Sequence, residues 1–317
     1  MRIEEAFGVA CYRQQYGRQA EAESIFRMIL DAVPDMPVIR FFLGTALRAQ
    51  GREQEALDCL CAAMDIAERQ ETVSALKDAI SQEIANILMP GEDIHSVLTK
   101  VHKHIQPRGY LEIGVADGTS LRWVIPPTKS IGVDPGYEIK HQLTVAPSLY
   151  KITSNQFFTD EIMAKQHPDF VMDLAFIDGL HTFYQVLLDF INVEAHSHPG
   201  TTIVVHDVFP PSRWVATPEH NNSGYWAGDG WRLCMVLRKW RPELNYRVIA
   251  TPPTGLGVIV APDSKNTVLR DNYQEILTWA NGLDFSEMWN NRPSVLRLVP
   301  TFEGAVAELG LKAAPRS

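Results

Sequence analysis

Between Gly109 and Pro135 the chain reads GYLEIGVADGTSLRWVIPPTKSIGVDP, and few architectures accept that string. Tyr110 to Ile113 is a short apolar run with the composition of a buried strand. The chain then turns through Gly114 and Gly118 and enters a predicted helix. It returns as a second apolar run, Ile131 to Val133, closed by Asp134. Strand, glycine turn, crossover and strand open an α/β sheet whose ligands lie at the carboxyl ends of the strands. The spacing is E-x-G-x-x-x-G. Val115 and Ala116 stand where a dinucleotide fingerprint has the glycine that lets the backbone approach a pyrophosphate. A ligand with a carboxylate in place of a pyrophosphate suits this loop better.

S-adenosylmethionine, an adenosine with a sulfonium and an amino-acid tail, is such a ligand. The stretch resembles the first two motifs of the class I methyltransferases that use it. The resemblance implies that Glu112 orders the loop and helps hold the methionine amine. It assigns Gly114, Asp117, Gly118, Thr119 and Ser120 to the cofactor loop, with helix-opening N–H groups facing the carboxylate. Asp134, 22 residues after Glu112, takes the ribose hydroxyls. After a predicted third strand, Leu149 to Ser154, the adenine is read near Ser154 and Asn155, which serve equally well as a turn.

The N-terminal part repeats itself. Gly17 and Gly51, Ala22 and Ala56, and Phe26 and Leu60 are each 34 residues apart. That period, with small residues at fixed points and Pro34 between the copies, resembles the tetratricopeptide helix pair. Val73 to Leu88 is a predicted capping helix, and Met89-Pro90-Gly91 a linker. Such helices pack, dimerise or bind a protein partner. Asp93 is placed to cap a helix over Ile94 to Ile105.

Two further aspartates carry the chemistry. Asp178 ends a predicted fourth strand, DLAFID, and Asp207 follows a fifth, Thr202 to Val205. Neighbouring strand ends lie about 4.8 Å apart. Carboxylates that close need a proton or a cation between them. This part resembles the metal-dependent O-methyltransferases, which implies Asp178, His206 and Asp207 as metal ligands. His206, where those relatives have a carboxylate or carboxamide, shifts the preference from Mg²⁺ towards Mn²⁺ or Fe²⁺, or serves as a base.

His181, in D-G-L-H, resembles a branch found among bacterial glycan and natural-product genes. An imidazole of pKa about 6.5 can take a hydroxyl proton at neutral pH. The resemblance therefore makes His181 the base, with Asp178 and His206 beside it. The same branch has a W-x-G-D-x-W element, matched by Trp226, Gly228, Asp229 and Trp231, in an aromatic insert from Trp214 to Trp231. It reads as a substrate lid, with Trp226, Asp229 and Trp231 on the acceptor.

Composition limits the alternatives. A net charge of −9 without a basic stripe argues against nucleic acid. No apolar run has the ~20 residues of a membrane span, and the start, MRIEEAFG, has no signal-peptide pattern. Four cysteines without a C-x-x-C pair suit free thiols in a reducing cytoplasm.

The expected fold is a Rossmann-like, seven-stranded α/β methyltransferase sheet at 91–262. A small all-α repeat domain precedes it at 1–90, and a helical tail follows at 263–317, packing on the domain or on a partner. The expected activity is S-adenosylmethionine-dependent O-methylation of a sugar, glycan or natural-product hydroxyl. A nicotinamide oxidoreductase lacks its glycine here. A repeat scaffold with a relic sheet would bind a peptide but no cofactor.

Overall fold

A computed structural model describes residues 2–224 and 226–314. The chain forms two compact units, one of residues 1–90 with Pro211–Trp226, the other of the remainder.

The first unit is all helical, with α1 (Ile3–Gln15), α2 (Gln19–Ala32), α3 (Pro37–Ala49), α4 (Glu53–Arg69) and α5 (Ser74–Leu88). Successive helices pack on one another. Positions 34 apart behave alike: Ala22, Ala56, Phe26 and Leu60 are all fully buried, and Gly17 and Gly51 end their helices' turns at the same φ of 75°. A Cβ at Gly44 would press on Leu60 Cγ at 2.7 Å, so α3 and α4 approach where a side chain is missing. Pro211–Trp226 is tied to α5 rather than left as a loose loop. Asp78 accepts hydrogen bonds from Trp214 Nε1 (2.7 Å), Ser223 Oγ (2.8 Å) and the Gly224 amide (2.9 Å). The Lys77 ammonium lies 3.7 Å from the centre of the Trp214 ring, a favourable cation–π pair.

The second unit opens with α6 (Ile94–Ile105), capped by Asp93, whose carboxylate accepts from the His95 and Ser96 amides. Its apolar stripe, Val97, Leu98, Val101 and Ile105, is buried in the core on one face of the sheet. Each such side chain contributes about 1.5–3 kcal/mol by leaving water. The strands are β1 (Gly109–Ile113), β2 (Lys129–Val133), β3 (Ser148–Tyr150), β4 (Met172–Ile177), β5 (Thr202–His206), β6 (Asn245–Ile249), β7 (Leu256–Val260) and β8 (Leu298–Val299). They lie in the order β3-β2-β1-β4-β5-β7-β6-β8. β1 to β5 pair in parallel, and β7 runs antiparallel to β5 and β6. The order reverses between β1 and β4, the place where open sheets leave a crevice.

Connecting helices are α7 (Ser154–Thr159), α8 (Ile162–Gln166), α9 (Phe183–Ala195) and α10 (Arg232–Trp240). The tail supplies α11 (Val268–Asp271), α12 (Tyr273–Asn281), α13 (Phe285–Leu296) and α14 (Phe302–Leu309).

Three expectations change. The third strand, expected over Leu149 to Ser154, is only Ser148–Tyr150, because Thr153 caps a helix that Ser154 opens. Among the described residues the sheet has eight strands, because the tail adds β8 alongside β6. The helix expected after Gly118 is a 3₁₀ turn of three residues, Leu121–Trp123. Pro126 and Pro127 follow almost at once, and a helix of that length cannot propagate across them.

Candidate active site

β1 and β4 end side by side. The Asp178 amide donates to the Ile113 carbonyl at 2.8 Å, and a Cβ at Gly114 would overlap the Asp178 carbonyl oxygen. Gly114, at φ 92°, is therefore required by the approach of the two strand ends. Above them opens a cavity of about 590 Å³, walled by Gly114, Asp134, Ser154, Asn155, Asp178, His181 and Gln185 among others. That volume suits a ligand of nucleoside size.

Asp134 organises one end. Its carboxylate accepts from the Val115, Ala116 and Gly136 amides at 3.0, 2.9 and 2.6 Å. An ionised carboxylate has roughly four acceptor sites, so room remains for a ligand hydroxyl. At the other wall Asn155 Nδ2 donates to Gln185 Oε1 (3.2 Å). Gln185 Nε2 reaches Ser154 Oγ (3.2 Å), Asn155 Oδ1 (3.0 Å) and Asp189 Oδ1 (2.9 Å). Burial lifts the Asp189 carboxyl to about 6, against the pull of its bonds to Ser154 and Gln185.

The other expected loop residues lie outside this wall. Glu112 is fully buried and accepts from Tyr110 Oη and Ser120 Oγ, both at 2.6 Å. Burial, opposed by those two bonds, raises its carboxyl to about 8. It ties Ser120 to the strand and does not face the cavity. Asp117 turns to Thr119 and His141. A Cβ at Gly118 would meet Ile139 Cδ1 at 2.9 Å. With no α-helix after Gly118, these residues fold back on the 137–141 segment.

Next to the cavity four ionisable side chains converge. His181 Nδ1 is 3.1 Å from Asp207 Oδ2, and His181 Nε2 is 3.8 Å from Asp178 Oδ1. His206 Nδ1 lies 2.9 Å from Asp178 Oδ1 and 3.4 Å from Asp207 Oδ2, and its Nε2 lies 3.2 Å from Thr254 Oγ1. Asp207 reaches back to this cluster because its backbone adopts φ 59°, a left-handed turn that aspartate tolerates better than most residues. Burial works against charge on His206, but Asp207 and Asp178 outweigh it and raise the imidazole to about 9. The two acids are thus bridged by a protein cation.

His206 Nδ1 thus lies within 3.4 Å of both carboxylates, and the charge that the two acids favour on its ring opposes its expected role as a base. Among the described residues, the group whose donor atoms close on one point is Asp178, His181 and Asp207, all within 4.8 Å of one another.

The expected substrate residues also move apart. Trp231 is 1 % exposed and Asp229 3 %, so neither presents a surface to an acceptor. Asp229 instead accepts from the Phe183 amide at 2.5 Å and pairs with Arg232. Trp226 belongs to the first unit, where its Nε1 donates to the Thr217 carbonyl at 2.6 Å.

Gln185 was missed in the sequence. It lies in the first turn of α9, four residues after His181, and lines the same cavity. Tyr184 and Leu180, each 49 % exposed, also line the cavity.

The family described as "Methyltransferase domain" matches residues 111–208, from within β1 to just past β5. That span holds both the Asp134 end and the Asp178–Asp207 end of the site. The match places a methyltransferase domain on this part of the second unit, consistent with its mixed α/β sheet.

Solved structures give weaker likenesses. An O-methyltransferase from Bacillus cereus, solved with SAH, is 15 % identical, with 64 % of this chain and 99 % of that one covered and a TM-score of 0.37. The O-methyltransferase TomG from Streptomyces achromogenes, involved in tomaymycin synthesis and solved with SAM, is 17 % identical over 53 % of this chain and 78 % of that one, at 0.38. A tetratricopeptide repeat domain protein from Salinibacter ruber is 15 % identical over 27 % and 96 %, at 0.26. No curated protein matches the chain. Among the described residues no helix is long and apolar enough to cross a membrane.

Proposed function

We propose that the chain is an S-adenosylmethionine-dependent O-methyltransferase, acting on a hydroxyl of a sugar or natural product. One observation carries the reading. The cavity at the switch point of a sheet with a methyltransferase-domain match has a hydroxyl-accepting carboxylate, Asp134, at one end and an imidazole, His181, at the other. Bound S-adenosylmethionine would supply a methyl group already activated on a sulfonium. Asp134 would hold the ribose hydroxyls, and Ser154, Asn155 and Gln185 the edge of the base.

The chain's own task is then to orient the acceptor and remove its proton. Asp207, 3.1 Å from His181 Nδ1, keeps the ring proton on that nitrogen and leaves Nε2 as the acceptor. With that methyl donor in place, His181 Nε2 would take the proton of the acceptor hydroxyl. The imidazolium formed is stabilised by Asp207 and Asp178. Tyr184 and Leu180 offer an apolar mouth for the acceptor.

A second reading is favoured by the same cluster. Asp178, His181 and Asp207 offer two oxygens and one nitrogen to a divalent ion, a set that suits Mn²⁺ or Fe²⁺ better than Mg²⁺. Such an ion would acidify a bound hydroxyl, and His181 would then be a ligand rather than the base.

Calorimetric titration of the full chain with S-adenosylmethionine, with chelator and with Mn²⁺, tests both. Saturable binding in chelator supports the cofactor reading, and a separate Mn²⁺ isotherm abolished by Asp207→Asn supports the metal. No cofactor binding under either condition overturns the proposal. The helical unit is proposed as a tetratricopeptide-like packing or partner-binding domain, on the strength of its 34-residue repetition.

A further inference from the structure

The W-x-G-D-x-W element meets the site at the backbone of the D-G-L-H loop. Gly228 has φ 66°, and a Cβ there would overlap the carbonyl oxygen of His181 and lie 2.7 Å from its Cβ. The Asp229 amide donates to that same carbonyl at 3.1 Å. The Asp229 carboxylate then accepts from the Phe183 amide, the first of α9, at 2.5 Å.

The local residue that would ordinarily perform this cap does not. Thr182 is the N-cap of α9 but makes no side-chain cap bond, and its buried Oγ1 has no partner among the described residues. The cap is supplied from 46 residues away in sequence. Burial raises the Asp229 carboxyl, against the bond from Phe183 and the charge of Arg232. Trp231, 1 % exposed and edge-on to Phe285, anchors the element in the core.

We infer that Gly228 and Asp229 form a clamp that positions His181. One bond on the residue's own carbonyl and one on the amide two residues later fix the loop in which its imidazole meets Asp207. Gly228 is small because that carbonyl occupies the space where its side chain would be, and Asp229 is a positioning residue rather than an acceptor-binding one. The inference rests on reading His181 as the working histidine. Its test nevertheless does not require turnover.

The ring resonances of His181 in the full chain, assigned by their loss in His181→Ala, report the imidazole's surroundings directly. Asp229→Ala is expected to shift and broaden them. Asp229→Asn keeps an oxygen to accept from Phe183 and should restore the wild-type position. Gly228→Ala keeps every hydrogen-bonding side chain, and should displace the ring by pushing on the carbonyl. It carries the test if Asp229→Ala does not fold. A merely structural role would lower the melting temperature of these variants and leave the ring resonances where they were, which would overturn the clamp. S-adenosylmethionine affinity, measured alongside, should be unchanged in the clamp variants. Failure of the wild type to bind it would strike the methyl-transfer reading and not the clamp.

Discussion

The two ends of the cavity are built on opposite principles. At the β2 end a single carboxylate, Asp134, accepts from backbone amides of the loop after β1, Val115 and Ala116, and of its own turn, Gly136. At the β4–β5 end two carboxylates and two imidazoles face one another, and their mutual electrostatics set the geometry. The first end is satisfied by backbone amides and can wait for a ligand without strain. The second is held from a distance, by the left-handed turn at Asp207 and by the Gly228–Asp229 backbone contacts. One carboxylate can be satisfied by backbone amides alone, whereas four ionisable side chains meet only when several elements agree.

This contrast can be broken from either side. The largest effect is expected at the β4–β5 end. His181→Ala should lower methyl transfer to catechol or glycoside hydroxyls by about 10²–10⁴-fold, the usual worth of a general base, with S-adenosylmethionine affinity unchanged by calorimetry. Equal turnover would remove His181 from the chemistry. At the β2 end the reverse is expected. Asp134→Ala should weaken S-adenosylmethionine binding about 10- to 100-fold, from the loss of hydrogen bonds to a charged group worth about 1.5–3 kcal/mol, and spare the rate at saturation. Unchanged affinity would mean that the ribose lies elsewhere.

His206→Gln sharpens the electrostatic half of the comparison. Removing the cation between Asp178 and Asp207 leaves two carboxylates facing each other, so thermal stability at neutral pH should fall by a few kcal/mol. Added Mn²⁺ should restore it if the metal reading holds.

The smallest effect concerns the scaffold. His102 is 1 % exposed, and burial lowers its imidazole to about 4. The unfolded chain binds that proton near 6.5 and the folded chain does not. This contribution to stability is therefore present above about 6.5 and lost as pH falls towards 4. His102→Leu should flatten the acid limb of a melting curve against pH. Glu112, raised by burial to about 8, works in the opposite sense, its contribution fading as pH rises from 4.5 towards 8.

Much of this was legible in the sequence. The period-34 glycines and alanines and the capped stripe of α6 are local signals, and so are the apolar runs that end in Asp134, Asp178 and His206-Asp207. The structure places each of them within a residue or two of the expected limits. What escaped was non-local. Nothing near Glu112 says that Tyr110 and Ser120 enclose it. Nothing near Asp229 says that its partner is an amide 46 residues earlier. The convergence of His181 and His206 on Asp207 depends on a left-handed turn there that aspartate permits but does not announce. Trp226 and Trp231, close in sequence, were read as one aromatic surface, yet they fall in different units.

The most direct measurement is a crystal structure of the full chain with S-adenosylhomocysteine. The account predicts the ribose on Asp134, the base beside Asn155 and Gln185, and the sulfur facing His181. Nucleoside density anywhere else, or a saturated crystal with that cavity empty, would contradict it.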